Sequence, residues 1–161
     1  MRKIVLILVA VFAICVSASA QRRSVPYAGI GMISNFSDRT GAGFTGGFRN
    51  YNPDSFVSVA LGGEAHGYFV PTSKNNQNSI NQFGVFGIPE IGVAIGPSFF
   101  KVYPHTALMF GYDSYNNGFY WGGKNGLAFD FGRHFTLDFS TYAPKYNYSA
   151  ATYAINLFWR F

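Results

Sequence analysis

From Val25 to Phe161 the chain falls into eight stretches in which apolar positions recur at every second residue, each bounded by Gly, Pro, Asn, Asp or Ser. They run over Val25–Ser34, Gly43–Asn50, Phe56–Phe69, Ile80–Ile95, Val102–Tyr112, Gly118–Phe131, Phe135–Tyr142 and from about Ala150 to the last residue. A period of two places alternate side chains on opposite faces of a strand. In the third stretch Val57, Val59, Leu61 and Ala65 oppose Ser58, Ala60, Glu64 and His66. In the last, Tyr153, Ile155, Leu157, Trp159 and Phe161 oppose Ala154, Asn156, Phe158 and Arg160. The first stretch has two competing facings, set by Tyr27 or by Ile30. Pro89 interrupts the fourth, because proline cannot donate to a ladder, and predicts a bulge or a local break there.

The charged residues then fix which face is which. Arg49, Glu64, Glu90, Lys124, Asp130, Asp138 and Arg160 all fall opposite the strongly apolar positions of their strands. Arg39, Lys74, Lys101, Arg133, Lys145, Asp38, Asp54 and Asp113 read as connection residues. A soluble sandwich or lipocalin-like barrel puts polar residues outward. This pattern is the reverse and predicts a barrel with an apolar outer wall, closed because an open sheet edge cannot exist in hydrocarbon. The first and last strands therefore pair. The connections "NFSDRTGA", "VPTSKNNQNS", "DSYNN" and "APKYNYS" are polar and longer, and they alternate with tighter ones, as external loops alternate with periplasmic turns.

Composition agrees: 18 Phe, 11 Tyr and 19 Gly with only 12% charged residues suit many strands and exclude both disorder and a helix bundle. The front end carries an address. Arg2 and Lys3 precede an apolar run from Ile4 to Val16, followed by Ala18-Ser19-Ala20 and Gln21, the layout of a signal peptide cleaved after Ala20. The run is shorter than the ~20 residues a spanning helix needs. Cys15 lies inside it behind Ile14, which is too large for lipoprotein processing. This organises the chain as a signal peptide, 1–20, and one domain, 21–161. The domain has no cysteine, so no disulfide framework, zinc site or thiol nucleophile is expected, and no metal or cofactor. Of the net charge of +5, two units belong to Arg2 and Lys3, and no basic cluster remains to support nucleic-acid binding.

With the signal peptide, eight alternating strands and a final strand reading Tyr153-x-Ile155-x-Leu157-x-Trp159-x-Phe161, the chain resembles the small Gram-negative outer-membrane β-barrels of the OmpA/OmpX type. The resemblance implies an all-β fold: a transmembrane, antiparallel, up-and-down barrel of eight strands. It also implies that Tyr153, Ile155, Leu157, Trp159 and Phe161 form the signal read by the barrel-assembly machinery, in a chain exported through the periplasm to the outer membrane.

An eight-stranded barrel is just wide enough for side chains to fill it. Arg49, Lys124 and Arg160 would face Glu64, Glu90, Asp130 and Asp138, with His66 and His105 close in sequence to some of them, and buried charges persist only when paired. The predicted lumen is a salt-bridge core that plugs the barrel, favoured over a path for protons or small ions. Glu64 and His66 sit two apart on one face, but they point inward and no serine stands in a nucleophile motif, so both read as structural and no catalytic residue is expected. The expected role is non-enzymatic: a structural or interaction protein contacting membrane lipid and lipopolysaccharide, surfaces reached by its external loops, or a larger outer-membrane complex as an accessory subunit. The alternatives are a narrow pore for small solutes and a lipid-modifying enzyme.

Overall fold

The computed structural model describes residues 24–34, 36, 40–50, 56–70, 80–114, 117–144 and 152–161. The segment expected to be a signal peptide, with Ala18, Ala20 and Gln21, lies outside them, as do most of the polar connections.

Eight strands follow one another: β1 (Ser24–Ser34), β2 (Thr40–Asn50), β3 (Val57–Val70), β4 (Ile80–Val93), β5 (Phe100–Asp113), β6 (Gly118–Phe131), β7 (Phe135–Pro144) and β8 (Thr152–Arg160). Each pairs antiparallel with its neighbour in sequence, and β1 pairs with β8 from Tyr27↔Arg160 to Ser34↔Tyr153, closing the barrel. The described residues contain no helix. Closure leaves both edges of the apolar last strand hydrogen-bonded, one to β7 and one to β1.

Facing follows the alternation. Along β8, Ala154, Asn156, Phe158 and Arg160 are buried and Tyr153, Ile155, Leu157 and Trp159 are exposed. The ambiguous first strand resolves with Ile30 and Met32 outward, while Ile33 is buried and Tyr27 lies under the Arg49 guanidinium. Pro89 produces a gap, not a bulge. Its pairing with Leu61 of β3 runs straight through. On the β5 side pairing stops at Gly87↔Phe110 and resumes at Glu90↔Ala107 with unchanged register. The missing N–H costs the ladder locally without inserting a residue.

Two expectations about connections need correction. β5 begins at Phe100 and ends at Asp113, so Lys101 and Asp113 are strand residues, both buried. The lengthened β5 leaves only 114–117 before β6, shorter than the connections 51–56 and 94–99, so the alternation of long and short connections fails at that position. The tightest reversal is Gly132–His134 between β6 and β7, where Gly132 adopts φ 59°, a left-handed conformation that glycine takes without steric cost.

Candidate functional site: the lumen network and the outer wall

Inside the barrel the charged side chains form one connected string. His66 Nε2 lies 3.0 Å from Glu64 Oε2, and Lys124 Nζ lies 2.5 Å from Glu64 Oε1 and 3.4 Å from Asp138 Oδ2. His105 then lies between two carboxylates, its Nε2 hydrogen-bonded to Asp138 Oδ1 at 2.8 Å and its Nδ1 3.3 Å from Glu90 Oε2 without a hydrogen bond to it. Glu90 accepts from Arg49 at 2.8 Å, Arg49 comes within 3.9 Å of Asp130, and Arg160 donates to Asp130 at 2.8 Å. Many of these links join strands that are not neighbours: β6 to β3, β5 to β7, β2 to β4. They cross the lumen and do not run along its wall.

Neutral groups complete the set. Glu64 also accepts from the Tyr142 hydroxyl at 2.7 Å. Asp138 accepts from Ser140 at 2.6 Å and from Asn156 at 3.2 Å, and Asp130 from Thr136 at 2.6 Å. Arg160 donates to the carbonyls of Gly132 and Phe135 as well, tying the end of β8 to the β6–β7 turn. Tyr103 stacks on His105 with ring centres 5.5 Å apart, and its face lies 4.8 Å from the Arg49 guanidinium. A carboxylate that accepts two or three donors has little lone-pair capacity left unmet, which is the condition for keeping charge away from water.

All eight residues singled out from the sequence (Arg49, Glu64, His66, Glu90, Lys124, Asp130, Asp138 and Arg160) are buried, and the string above includes each of them. The alternation also puts His105 inward beside these charges, and the structure gives it a place in the network that the sequence does not: it joins the Asp138 end of the string to the Glu90 end. Lys101 and Asp113 were missed because the ends of β5 were placed too far inside.

Above the charges lies a different layer. Ile33, Phe86, Ile88, Ala107, Met109, Tyr120, Tyr142 and Ala154 form a buried cluster with Tyr68 packed against it. Most of these residues sit in the halves of their strands away from the β6–β7 turn, whereas Arg49, Glu90, Asp130, Asp138 and Arg160 sit in the nearer halves. His66 joins the layers, its ring 5.8 Å from Phe86 and 5.6 Å from Tyr142. Among the described inward side chains, ion pairs lie at one level and rings at the next.

Glu64 and His66 do touch, but both are buried beneath Lys124 and Tyr142. Among the described residues no group of three or more His, Cys, Asp or Glu side chains is arranged to hold a metal ion.

The outer wall is the complement. Ile30, Phe44, Val85, Phe110, Trp121 and Leu157 are among the large apolar side chains exposed around it. Every charged residue described within a strand is buried, Lys101 and Asp113 included; the exposed charge among the described residues is Arg133, in the β6–β7 turn. The five residues of the terminal pattern, Tyr153, Ile155, Leu157, Trp159 and Phe161, all lie on this wall.

The chain matches no family model and no curated protein sequence. Among solved structures it is similar to one described as "De novo design of transmembrane beta-barrels", at 15% identity and a TM-score of 0.48, over 87% of this chain and 97% of that one.

Proposed function

We propose that the protein is an integral outer-membrane β-barrel with a non-enzymatic, structural or interaction role, its lumen closed by its own side chains. One observation carries the reading: the barrel is inside out, with its described strand charges in the lumen and an apolar outer wall. In water such a wall would be a large exposed apolar surface, which soluble monomers avoid. In a bilayer it faces lipid, where a midplane Arg or Lys would cost roughly 2–4 kcal/mol. Strands of 9 to 14 residues also suit a tilted crossing, for which about 9–11 residues suffice.

The lumen supports a closed barrel over a pore. A conducting path needs a continuous wetted line, and here the ion pairs give way to the packed layer around Phe86, Met109 and Tyr120. The lipid-modifying reading lacks an accessible acid–base pair, since Glu64 and His66 are both enclosed. Under this account the even-numbered connections face the periplasm and the polar ones face outward. The terminal pattern of β8 serves assembly, and the contacts are with lipid, lipopolysaccharide and a larger outer-membrane assembly.

Fractionation with gel analysis tests this. The protein should remain in the outer-membrane pellet after alkaline carbonate washing, and its mobility should shift on boiling. Recovery in the soluble periplasmic fraction would refute it.

A further inference from the structure

The outer wall is not equally smooth all round. Two depressions follow one another along β8. One, of about 410 Å³, has walls built from Ile30, Phe44, Phe135, Leu157, Trp159 and Phe161. The next, of about 390 Å³, lies between Met32, Phe139, Tyr153 and Ile155, and Phe36 packs on Tyr153 at its far end with ring centres 5.4 Å apart. The first is deepened by Ala28, the small outward residue that pairs with Trp159 and stands beside Gly46 of β2. Together they follow most of the length of β8, about 30 Å at the usual rise per residue.

The near end of this furrow carries charge. His134 stacks on Trp159 with ring centres 5.2 Å apart and planes 13° from parallel. Its Nδ1–H donates to the carbonyl of Arg160 at 3.0 Å, which fixes the ring and turns Nε2 away from that bond. Arg133 is exposed in the same turn and is the described cation outside the lumen. Apolar walls along the strand with a cation and an imidazole at the rim are complementary to one kind of molecule.

We propose that a phospholipid is held along β8, one acyl chain in the furrow and its phosphate against Arg133 and His134 at the rim. The inference rests on the membrane reading above and adds a specific lipid site to a wall that would otherwise contact lipid uniformly. Arg133 supplies the fork of donors that suits a phosphate, with the His134 ring held in place beside it by its bond to the Arg160 carbonyl. Basic residues beside a membrane attract anionic headgroups, and the stacked Trp159 sits where rings anchor at an interface.

The test is native mass spectrometry of the mature chain, folded in mild detergent and titrated with dioleoyl phosphatidylglycerol or with monoolein, which has the acyl chain and no phosphate. The expected result is one phosphatidylglycerol bound per barrel that survives activation stripping other lipid, with monoolein lost. The double substitution R133S/H134Q should lower the retained fraction about fivefold or more, and A28F, which fills the furrow, should lower it independently. Boiling-dependent mobility verifies folding of each variant. Folded variants that retain phosphatidylglycerol like the wild type, or equal retention of monoolein, would overturn the site. A wild-type chain that fails to enter bilayers at all would overturn the membrane reading instead.

Discussion

Lys124 of β6 reaches across the lumen to Glu64 of β3, placing its ammonium 2.5 Å from a carboxylate that also accepts from His66 and Tyr142. Strands β3 and β6 are not neighbours in the barrel. The pair therefore acts as a strut, and its partners leave neither charge solvated by anything else.

Removing one end of that strut strands the other. Glu64→Gln should destabilise the barrel by about 3–5 kcal/mol, the usual cost of leaving a buried charge unpaired. Glu64→Leu combined with Lys124→Met should cost much less than Glu64→Gln alone, because an apolar pair of similar volume carries no desolvation penalty. Equilibrium urea unfolding in phospholipid vesicles reads both. A double variant destabilised as much as Glu64→Gln, or more, would show that the two side chains do not depend on each other.

The outer wall gives the opposite result for the same kind of charge. Val85 is exposed between Ala65 of β3 and Tyr112 of β5, well within the span of β4. Val85→Arg should cost roughly 2–4 kcal/mol in vesicles, as expected for an arginine facing lipid near the midplane. An unfolding midpoint within experimental scatter of the wild type would mean that position 85 meets water.

Much of this was legible in the sequence because a period of two leaves one binary choice per strand. Val57, Phe110, Leu127 and Ile155 each settle that choice for their strands. β1 resisted because Ala28, Gly29 and Gly31 weigh on neither side, and Tyr27 carries a ring whichever way it points. What tips it is Arg49 on β2, whose guanidinium lies 5.7 Å from the Tyr27 ring, a long-range contact invisible to local pattern. His105 shows the same limit. Alternation placed it inward, but its position between Glu90 and Asp138 depends on β4, β5 and β7 meeting inside a closed barrel. Lys101 was lost for a local reason: the aromatic pair Phe99-Phe100 after Pro97 reads as a loop, yet Phe100 already pairs with Phe131.

Close strand approach makes one glycine irreplaceable and another dispensable. A Cβ on Gly111 would land on the backbone carbonyl of Val85, whereas one on Gly67 would meet open space. Gly111→Ala should destabilise by about 1–3 kcal/mol, the usual range for overpacking, and Gly67→Ala should leave the unfolding curve almost unchanged. Equal effects at the two positions would contradict the β4–β5 register.

A lumen closed as proposed has an electrical consequence. Planar-bilayer recordings of the refolded chain should show no steady single-channel conductance. Phe86→Ala with Tyr120→Ala should remain silent too, since the crossed pairs of Arg49, Lys124 and Arg160 still fill the level beneath. Stepwise openings in the wild type would favour the pore reading.

The central claim, that the wall of this barrel faces lipid and its charges face inward, is tested most directly along β8. The domain has no cysteine of its own, so single cysteines carrying a spin label can be placed at each position from Ala154 to Leu157 in turn. In vesicles, labels at positions 155 and 157 should be reached by dissolved oxygen and shielded from a water-soluble nickel complex, and labels at 154 and 156 should be shielded from both. A nickel complex that reaches 155 and 157 would place the wall in water and contradict the account.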